Sequence, residues 1–252
     1  MRKVVVVQAR MGSSRLPGKV LMDLDGKPVV DHVLGRASAI PGIAEVCLAT
    51  SIDPLNDELA ESVSKSGYRV VRGSEQDVLG RFMLAVSETG ADAIMRVTAD
   101  CPLLDPQVCG DVLALLDGKE TPYASNVEKA EWPHGLDCEA VTAEALAPSD
   151  RSTQAADERE HVTLWIRRHK DLRRAYLPGP GGAVAEQRWV VDYPEDLAML
   201  RELMPLLRPL GPMPGWRDIA RVCEENPGLG KMNARDVAAA NRYTAAIEGE
   251  KP

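Results

Sequence analysis

The sequence lacks the cysteine and histidine spacings that mark disulfide frameworks and zinc sites. Its 252 residues include four histidines without an H-x-x-x-H spacing and five cysteines without a C-x-x-C spacing: Cys47, Cys101, Cys109, Cys138 and Cys223. An odd number of isolated cysteines predicts reduced thiols in or near the core, not disulfide bridges. The missing spacings also argue against a transition-metal site.

The chain also lacks an excess of positive charge and any long apolar run. Its net charge of −8 and pI near 5.2 argue against a general binder of nucleic acid or anionic membranes. No apolar span reaches the roughly 18 residues of a transmembrane helix, and the valines near the N-terminus are too few for a signal peptide. We therefore expect a soluble, cytoplasmic α/β protein whose partners are small molecules, not nucleic acid or membrane.

The most informative stretch that is present is the N-terminal segment ending at Lys19. Residues 4–7 are all valine, which predicts a short strand buried on both faces of a parallel sheet. The following loop combines small residues with the cations Arg10, Arg15 and Lys19. Backbone N–H groups and cations together predict a cradle for a polyphosphate. A solvated loop with incidental arginines is the alternative interpretation.

Two common phosphate-binding motifs are absent from this loop. The P-loop requires G-x-x-x-x-G-K-[ST], but Gly12 stands one residue too early before Gly18, and Val20 replaces the magnesium-binding hydroxyl. The dinucleotide pattern G-x-G-x-x-G is missing as well. Because the loop supplies no hydroxyl for magnesium, any metal ligands must come from other strands.

The rest of the first half alternates short strands with helices. Strands are predicted at 46–50, 69–71 and 93–97, and helices at 28–39, 53–65, 77–88 and 105–116. Strands that alternate with helices of about ten to fourteen residues indicate βαβ units and a mostly parallel sheet. The fold class is therefore α/β.

The second half is less regular. It predicts strands at 121–126, 136–141 and 189–191, helices at 154–168, 194–207, 218–225 and 234–247, and proline-containing loops at 178–185 and 205–214. We predict one domain over residues 1–207, followed by a C-terminal helical extension, residues 208–252, that packs on the same domain.

Charged side chains follow the strands at one edge of the predicted sheet. In open parallel sheets, ligands bind beyond the carboxyl ends of the strands, which selects residues 8–19, 72–74, 98–100 and 192. Cations for phosphates and carboxylates for a hard divalent ion are what nucleotidyl chemistry needs. Asp100 and Asp192 are thus the candidate magnesium ligands, although either residue alone is more often a helix cap or turn residue.

A second group of candidate residues lies between residues 132 and 139. If 136–141 is a strand, Asp137 and Glu139 project from one face, about 7 Å apart, and Cys138 faces the core. Two such carboxylates can hold the hydroxyl or ammonium groups of an acceptor, or deprotonate it. An edge strand with a solvated polar face is the alternative. His134, in the preceding turn, is a weaker candidate.

Two further segments carry groups that can take part in chemistry. Glu158 and His161 are three residues apart on a predicted helix and can meet there. With Arg159 they are either a substrate or subunit contact, or a solvated helix face. Cys101 follows Asp100, but no companion histidine is evident nearby, so we predict a buried structural thiol.

Motifs spread over nearly the whole chain resemble those of the SpsF-type cytidylyltransferases, which are relatives of the CMP-Kdo and CMP-sialic acid synthetases. The most specific is the first loop, Q-A-R-M-G-S-S-R-L-P-G-K, and the other matching segments are residues 71–81, 96–103, 135–139, 158–163, 188–197 and 225–227. The resemblance implies a glycosyltransferase-A-like (Rossmann-like) three-layer fold with a mostly parallel central sheet and a C-terminal helical tail. It also implies CTP as the nucleotide donor.

The resemblance and the strand-end rule together assign roles to individual residues. The predicted catalytic residues are Arg15, Lys19, Asp100 and Asp192, of which the two aspartates would hold Mg²⁺, with Mn²⁺ as a substitute. The predicted nucleotide-binding residues are Gln8, Ala9, Arg10, Met11, Gly12, Ser13, Arg72, Ser74, Thr98 and Ala99. The predicted acceptor-binding residues are His134, Asp137, Glu139, Arg159 and His161. Thr98 departs from the glutamine of many relatives, so it does not secure the preference for CTP.

The predicted reaction is attack by an acceptor oxygen on the α-phosphorus of CTP, which gives a CMP-activated product and pyrophosphate. The expected acceptor is a small acidic sugar, a nonulosonic acid or a Kdo-like acid, and a phosphonate or small alcohol or phosphate is the rival. A glycosyltransferase is the alternative of another class, but the D-x-D formed by Asp23 and Asp25 does not follow the fourth strand. A nucleotide-binding protein without catalysis is the third hypothesis. The family also leads us to expect a homodimer.

Overall fold

A computed structural model describes residues 1–116 and 120–234 of the chain. The strands are β1 (Lys3–Gln8), β2 (Asp23–Leu24), β3 (Lys27–Pro28), β4 (Glu45–Ser51), β5 (Arg69–Gly73), β6 (Ala93–Thr98), β7 (Tyr123–Ser125), β8 (Glu139–Thr142) and β9 (Arg174–Tyr176). The helices are α1 (Val29–Ser38), α2 (Asp57–Lys65), α3 (Val78–Thr89), α4 (Pro106–Ala114), α5 (Ala143–Ser152), α6 (Ala156–Glu160), α7 (Leu164–Arg168), α8 (Gly182–Ala185), α9 (Pro194–Leu207), α10 (Trp216–Glu225) and α11 (Gly228–Met232).

Seven of the strands form one twisted sheet in the order β5-β4-β1-β6-β8-β7-β9. Strands β5, β4, β1 and β6 run parallel, β8 is antiparallel to both β6 and β7, and β9 is parallel to β7. The register pairs Gln8 at the end of β1 with Ala49 in β4 and Thr98 in β6. The carboxyl ends of three neighbouring strands therefore meet at one edge, and the predicted mostly parallel central sheet is confirmed.

The four valines of β1 explain why this strand lies in the middle of the sheet. All four are fully buried, with Val5 and Val7 packing against α1, α2 and α4, and Val4 and Val6 packing against α3, α5 and α7. Burying each valine side chain contributes about 1.5–3 kcal/mol. Helices on both faces of the sheet give the three-layer α/β arrangement.

Aspartate caps begin the helices where the sequence predicts them. Asp77 accepts a hydrogen bond from the backbone N–H of Gly80 (2.8 Å) at the start of α3. Asp105 accepts from the N–H groups of Gln107 (2.8 Å) and Val108 (3.0 Å) ahead of Pro106. These caps satisfy backbone donors that have no partner within the helix, so the helix starts follow from local sequence.

Several predictions for the second half need correction. The helix predicted at 154–168 is split into α6 and α7, because buried Val162 adopts a left-handed backbone conformation (φ 54°) between them. Residues 189–191 form no strand; the N–H of Trp189 donates to the carbonyl of His134 (2.7 Å) instead. Helix α5 and strand β9 were not predicted. Helix α5 contains Pro148, so its sequence does not predict a helix.

The beginning of the C-terminal extension packs on the last long helix. Besides the two apolar clusters that contain the valines of β1, a third apolar cluster joins Leu200 and Leu203 of α9 to Ile219 and Val222 of α10 and to Leu229 of α11. The predicted boundary at residue 207 stays a prediction, and the helix predicted at 234–247 lies outside the described residues but for its first. Within the described ranges, no helix is both long and apolar enough to cross a membrane.

Candidate active site

The loop after β1 is folded by its own backbone and by one glycine. Gly18 has φ 72°, a conformation that glycine adopts without steric cost, and its N–H donates to the carbonyl of Met11 (3.0 Å). The N–H of Leu16 donates to Ser13 Oγ (3.3 Å). A single 3-10 turn follows and brings Lys19 to 8 % exposure, so this lysine points inward.

Lys19 joins two carboxylates that come from distant parts of the chain. Its Nζ lies 2.6 Å from Asp100 Oδ2 and 2.8 Å from Asp192 Oδ1. The N–H of Val191 donates to the carbonyl of Asp100 (2.8 Å), which holds the segment before Asp192 against the loop after β6. Arg15 Nη1 lies 3.3 Å from Asp192 Oδ2. The four residues predicted to be catalytic therefore meet at one point.

The electrostatics of this group keep both carboxylate and ammonium charged. Burial alone would raise the pKa of Asp192, but Lys19, Arg15 and Arg188 outweigh it and hold the pKa at about 2. Burial alone would lower the pKa of Lys19, but Asp100 and Asp192 raise it above its ordinary value. Lys19 and Asp192 are therefore charged at neutral pH. We call these two residues, with Asp100 and Arg15, the ion cluster, and its carboxylates can also interact with a bound cation.

The donor set fits a magnesium ion that is completed by a substrate. Asp100 and Asp192 contact one common ammonium group, so their oxygen atoms converge on a small volume. In the part of the chain that the structure describes, no group of three or more His, Cys, Asp or Glu side chains converges to hold a metal ion. Mg²⁺ is commonly bound by one or two carboxylates together with phosphates and water, and two carboxylates meet that requirement.

The predicted nucleotide-binding residues line the same edge of the sheet. The N–H of Ala99 donates to the carbonyl of Gln8 (2.9 Å), which fixes the end of β6 beside the end of β1. Thr98 Oγ1 lies 3.2 Å from the sulfur of Cys101, and burial raises the pKa of that thiol well above its ordinary value. This agrees with the prediction of a structural cysteine. The other residues of the set on this edge are Ala9, Met11, Gly12 and Ser13 in the loop and Ser74 after β5.

Two arginines of the predicted nucleotide site face carboxylates of the protein itself. Arg10 lies 3.5 Å from Glu75 and 3.8 Å from Glu160, so it connects the loop to the end of α6. Arg72 donates to Asp57 of α2 (2.7 Å). Both guanidinium groups are partly exposed, and a bound triphosphate or base would have to compete with these ion pairs.

His134 and Asp137 of the predicted acceptor set lie beside the ion cluster. Arg188 Nη1 is 3.0 Å from His134 Nδ1, and Arg188 Nη2 is 3.1 Å from Asp192 Oδ2. Because a guanidinium group can only donate, Nδ1 must accept, and the neutral ring carries its proton on Nε2. That nitrogen lies 3.8 Å from Asp137 Oδ2. The Nε2–H of His134 is thus a hydrogen-bond donor, and Asp137 is the accessible carboxylate beside it.

Glu139 does not share an exposed face with Asp137, which corrects the predicted geometry. Strand β8 begins only at Glu139, whose side chain turns into the protein and is 3 % exposed. It pairs with Arg96 (2.5 Å) and accepts from Tyr123 (2.7 Å) and Thr163 (2.5 Å). Its oxygens serve this internal network and do not line an acceptor site. Cys138 is buried in the core, as predicted.

Arg159 lies in α6, and His161 directly follows that helix. Arg159 is largely buried and pairs with Asp77 (2.5 Å) and Asp150 (2.9 Å), so it ties α6 to α3 and α5. His161 is half-buried, and burial, followed by the charge of Arg96, lowers its pKa. The structure thus gives Arg159 carboxylate partners within the protein itself.

The structure adds Arg188 and Asp196 to the site, which sequence reasoning missed. Arg188 donates through Nε and Nη2 to the two oxygens of Asp196 (2.8 and 2.9 Å) and also contacts Asp192. The guanidinium of Arg15 lies 5.1 Å from the ring centroid of Tyr193, a cation–π contact. The signal was in the motif R-W-V-V-D-Y-P-E-D-L, from which only its first aspartate was singled out.

Together, the sheet and the convergent charges define a nucleotidyltransferase. The sequence profile of the cytidylyltransferase family matches residues 4–203, and the chain belongs to that family. Among curated proteins, it is similar to the spore coat polysaccharide biosynthesis protein SpsF of Bacillus subtilis (strain 168), with 35 % identity over 207 residues. That alignment covers 79 % of this chain and 84 % of the relative. The resemblance read from the motifs is thereby confirmed.

Solved structures of cytidylyltransferases share the fold. A cytidylyltransferase from Leptospira borgpetersenii serovar Hardjo-bovis (strain JB197) superposes with a TM-score of 0.85 at 25 % identity, covering 91 % of this chain and 96 % of that one. CMP:2-keto-3-deoxy-manno-octonic acid synthetase in complex with CTP superposes with a TM-score of 0.60 at 22 % identity, covering 82 % and 99 %. The second likeness concerns the fold alone.

Proposed function

We propose that this cytidylyltransferase transfers CMP from CTP to a small acidic acceptor in a magnesium-dependent reaction that releases pyrophosphate. The observation that carries the proposal is the meeting of Lys19, Asp100 and Asp192, with Arg15 beside them, at the end of β1. Cations for the phosphates and two carboxylates for a divalent ion are the parts that phosphoryl-group transfer needs.

In the proposed reaction, the protein positions charged groups around a displacement at phosphorus. An acceptor oxygen forms a bond to the α-phosphorus of CTP while the bond to the bridging oxygen breaks, and pyrophosphate leaves with that oxygen. Arg15 and Lys19 neutralise the charge that grows on the leaving group. Mg²⁺ held by Asp100 and Asp192 would supply further charge neutralisation on the phosphates, for which Mn²⁺ is the expected substitute.

The proton of the acceptor hydroxyl is assigned to Asp137. His134 cannot take it, because its Nδ1 already accepts from Arg188 and its Nε2 is the donor. Asp137 is 42 % exposed, lies next to His134 Nε2 and is therefore accessible to a bound acceptor. In this proposal His134 and Arg188 bind the acceptor, and Arg188 also orients Asp192. Asp137 accepts the proton.

The acceptor class is proposed from charge and from what relatives are named for. His134, with its Nε2–H, and the neighbouring Arg188 guanidinium lie on the acceptor side of the cluster, which favours an anionic acceptor such as a sugar acid. One structural neighbour is named for 2-keto-3-deoxy-manno-octonic acid, and one relative for polysaccharide biosynthesis. We therefore propose an acidic sugar used in polysaccharide biosynthesis, with phosphonates as the rival and a homodimer as the expected assembly.

A pyrophosphate-release screen tests this function. Each of the four ribonucleoside triphosphates is combined with Mg²⁺ and a panel of acidic sugars, phosphonates and small alcohols. Pyrophosphate formed with CTP and an acidic sugar supports the proposal. Pyrophosphate formed only with a phosphonate would show that the acceptor is a phosphonate and not a sugar acid. Release of a free nucleoside diphosphate from a sugar nucleotide would instead support a glycosyltransferase. CTP binding without any product would indicate a non-catalytic protein.

A further inference from the structure

Asp196 is fully buried at the start of α9 and accepts five hydrogen bonds. Its Oδ1 accepts from Arg188 Nε (2.8 Å) and Asn233 Nδ2 (3.2 Å). Its Oδ2 accepts from Arg188 Nη2 (2.9 Å) and from the backbone N–H groups of Asp192 (3.0 Å) and Tyr193 (2.9 Å). A carboxylate that has no contact with water is stable only when hydrogen-bond donors surround it. The positions of these donors around Asp196 are therefore closely constrained.

Arg188 contacts both Asp196 and Asp192, so the position of Asp196 affects the position of the Asp192 carboxylate. Besides its two bonds to Asp196, the guanidinium donates to Asp192 Oδ2 (3.1 Å) and to His134 Nδ1 (3.0 Å). Its donors form a rigid planar fork, so a tilt of the group moves all of these contacts together. We call Arg188 and Asp196 the clamp. The clamp sets both the side chain and, through the backbone N–H, the main chain of Asp192.

Asn233 reaches the clamp from beyond the part of the chain that the family profile matches, residues 4–203. Its side-chain amide donates to Asp196 Oδ1 (3.2 Å) and to the backbone carbonyl of Arg188 (3.0 Å), so it contacts both members. It is 4 % exposed and follows α11, whose Leu229 is buried in the third apolar cluster. The extension is therefore anchored by packing and delivers one buried donor to the clamp.

We propose that Asn233 is a positioning residue, through which the C-terminal extension holds the clamp and thereby orients the Asp192 carboxylate for the metal ion and CTP. The inference rests on the proposed role of Asp192 as a magnesium ligand. Residues that orient a metal ligand typically contribute about 10–100-fold to metal affinity or activity. An asparagine that merely closes the end of α11 would instead affect folding stability alone.

The test measures Mn²⁺ binding to the CTP complex, without acceptor, in Asn233→Ala and Asn226→Ala. Free Mn²⁺ is followed by electron paramagnetic resonance at a fixed saturating CTP concentration, with a protein-free CTP blank. Asn226 is the matched control, since its amide donates to the carbonyl of Val222 in the same extension (2.9 Å). We expect Mn²⁺ affinity to fall about tenfold in the Asn233 variant and to stay at the wild-type value in the Asn226 variant.

The same experiment has outcomes that overturn the inference. Wild-type Mn²⁺ affinity in Asn233→Ala, or an equal loss in both asparagine variants, shows that Asn233 serves the fold and not Asp192. Failure of the wild-type protein to bind Mn²⁺ with CTP contradicts the proposed metal ligands instead, so the two failures are distinguishable. If the alanine variant does not fold, Asn233→Leu, which keeps the side-chain shape, is measured with the same expectation.

The clamp itself provides a second measurement. Arg188→Lys keeps the charge but cannot reach Asp192, Asp196 and His134 together, so it should weaken Mn²⁺ binding as well. Because both substitutions act through one clamp, the double variant Asn233→Ala/Arg188→Lys should lose little more than Arg188→Lys alone. Fully additive losses would show that Asn233 acts independently of the clamp.

Discussion

Lys19 presents one ammonium group to the two carboxylates proposed to bind magnesium. Its Nζ lies within 2.8 Å of an oxygen of both Asp100 and Asp192. A divalent ion held by Asp100 and Asp192 would use the same oxygens and would therefore compete with the ammonium group for them. This expected competition leads to the first prediction.

Replacing Lys19 by methionine should reduce turnover by about 10²–10³-fold, because a preorganised cation is lost from the leaving pyrophosphate. In the absence of nucleotide, the same variant should bind Mn²⁺ more tightly than wild type, since both carboxylates lose their counter-ion. Pyrophosphate release and Mn²⁺ titration measure the two effects. Lys65→Met, which removes an exposed ion pair with Glu61, is the control and should change neither. Near-wild-type turnover in Lys19→Met would contradict the assigned role.

The hydrogen bond between Arg188 and His134 makes a prediction that needs no substrate. Because Nδ1 accepts from the guanidinium, the proton of the imidazole should lie on Nε2. Nitrogen-15 NMR of histidine-labelled protein should show a protonated Nε2 and an unprotonated Nδ1 for His134. In Arg188→Ala this pattern should be lost, while the signals of His169, which stacks on Trp165, stay unchanged. A doubly protonated His134 in the wild type would contradict the assignment.

At the level of elements, one buried carboxylate ties strands of the sheet to a helix. Glu139 at the start of β8 contacts Arg96 of β6, Tyr123 of β7 and Thr163 ahead of α7. Burial alone would raise the pKa of Glu139, but Arg96 and Arg167 outweigh it and lower the pKa below its ordinary value. The network therefore stabilises the charged form of this carboxylate.

Replacing Glu139 by glutamine should lower the free energy of unfolding by about 3–5 kcal/mol at pH 7, since Arg96 keeps its charge without a buried partner. The folded pKa lies below the unfolded value of about 4.3, so the contribution is complete above that pH and is lost as pH falls through the folded pKa. Urea unfolding from pH 7 to pH 3 should show the gap between variant and wild type closing below about pH 4. A gap that does not change with pH would contradict the ion pair. Glu61→Gln, at an exposed pair, is the control.

At the level of the whole molecule, the extension and the preceding domain share a core. Leu200 and Leu203 of α9 pack in the same cluster as Ile219 and Val222 of α10. A domain boundary at residue 207 would divide this cluster. We therefore expect the extension and the rest of the chain to unfold together.

Replacing Ile219 by alanine should cost about 2–5 kcal/mol and leave a single unfolding transition at lower temperature, because the lost methyl groups belong to a shared core. Differential scanning calorimetry measures both the shift and the number of transitions. Leu210→Ala, at a leucine that is 38 % exposed, is the control and should shift the transition much less. Two separate transitions in Ile219→Ala would show that the extension folds as a unit of its own.

The meeting of Lys19 and Asp100 could be predicted from the sequence, because it depends on local order. The valines of β1 are followed at once by the loop, and Asp100 follows β6, so the sheet rule alone places Lys19 and Asp100 at one edge. Asp192 was found as well, although the strand predicted before it does not form. The shared face predicted for Asp137 and Glu139 was wrong, because Glu139 turns inward once β8 starts at that residue and not three residues earlier.

The sequence by itself determined the mostly parallel sheet, the cationic loop after β1, the helix starts at Asp77 and Asp105 and the family, since strand and helix patterns and family motifs are recognisable without tertiary contacts. Only the tertiary structure decided the partners of Arg188, the inward turn of Glu139 and the return of Asn233 to Asp196. Asn233 and Asp196 are 37 positions apart, and Arg188 and His134 are 54 apart. Apolar packing of α9, α10 and α11 brings Asn233 to Asp196, and a backbone bridge joins the segments of Arg188 and His134. Periodicity within one segment carries no record of either contact.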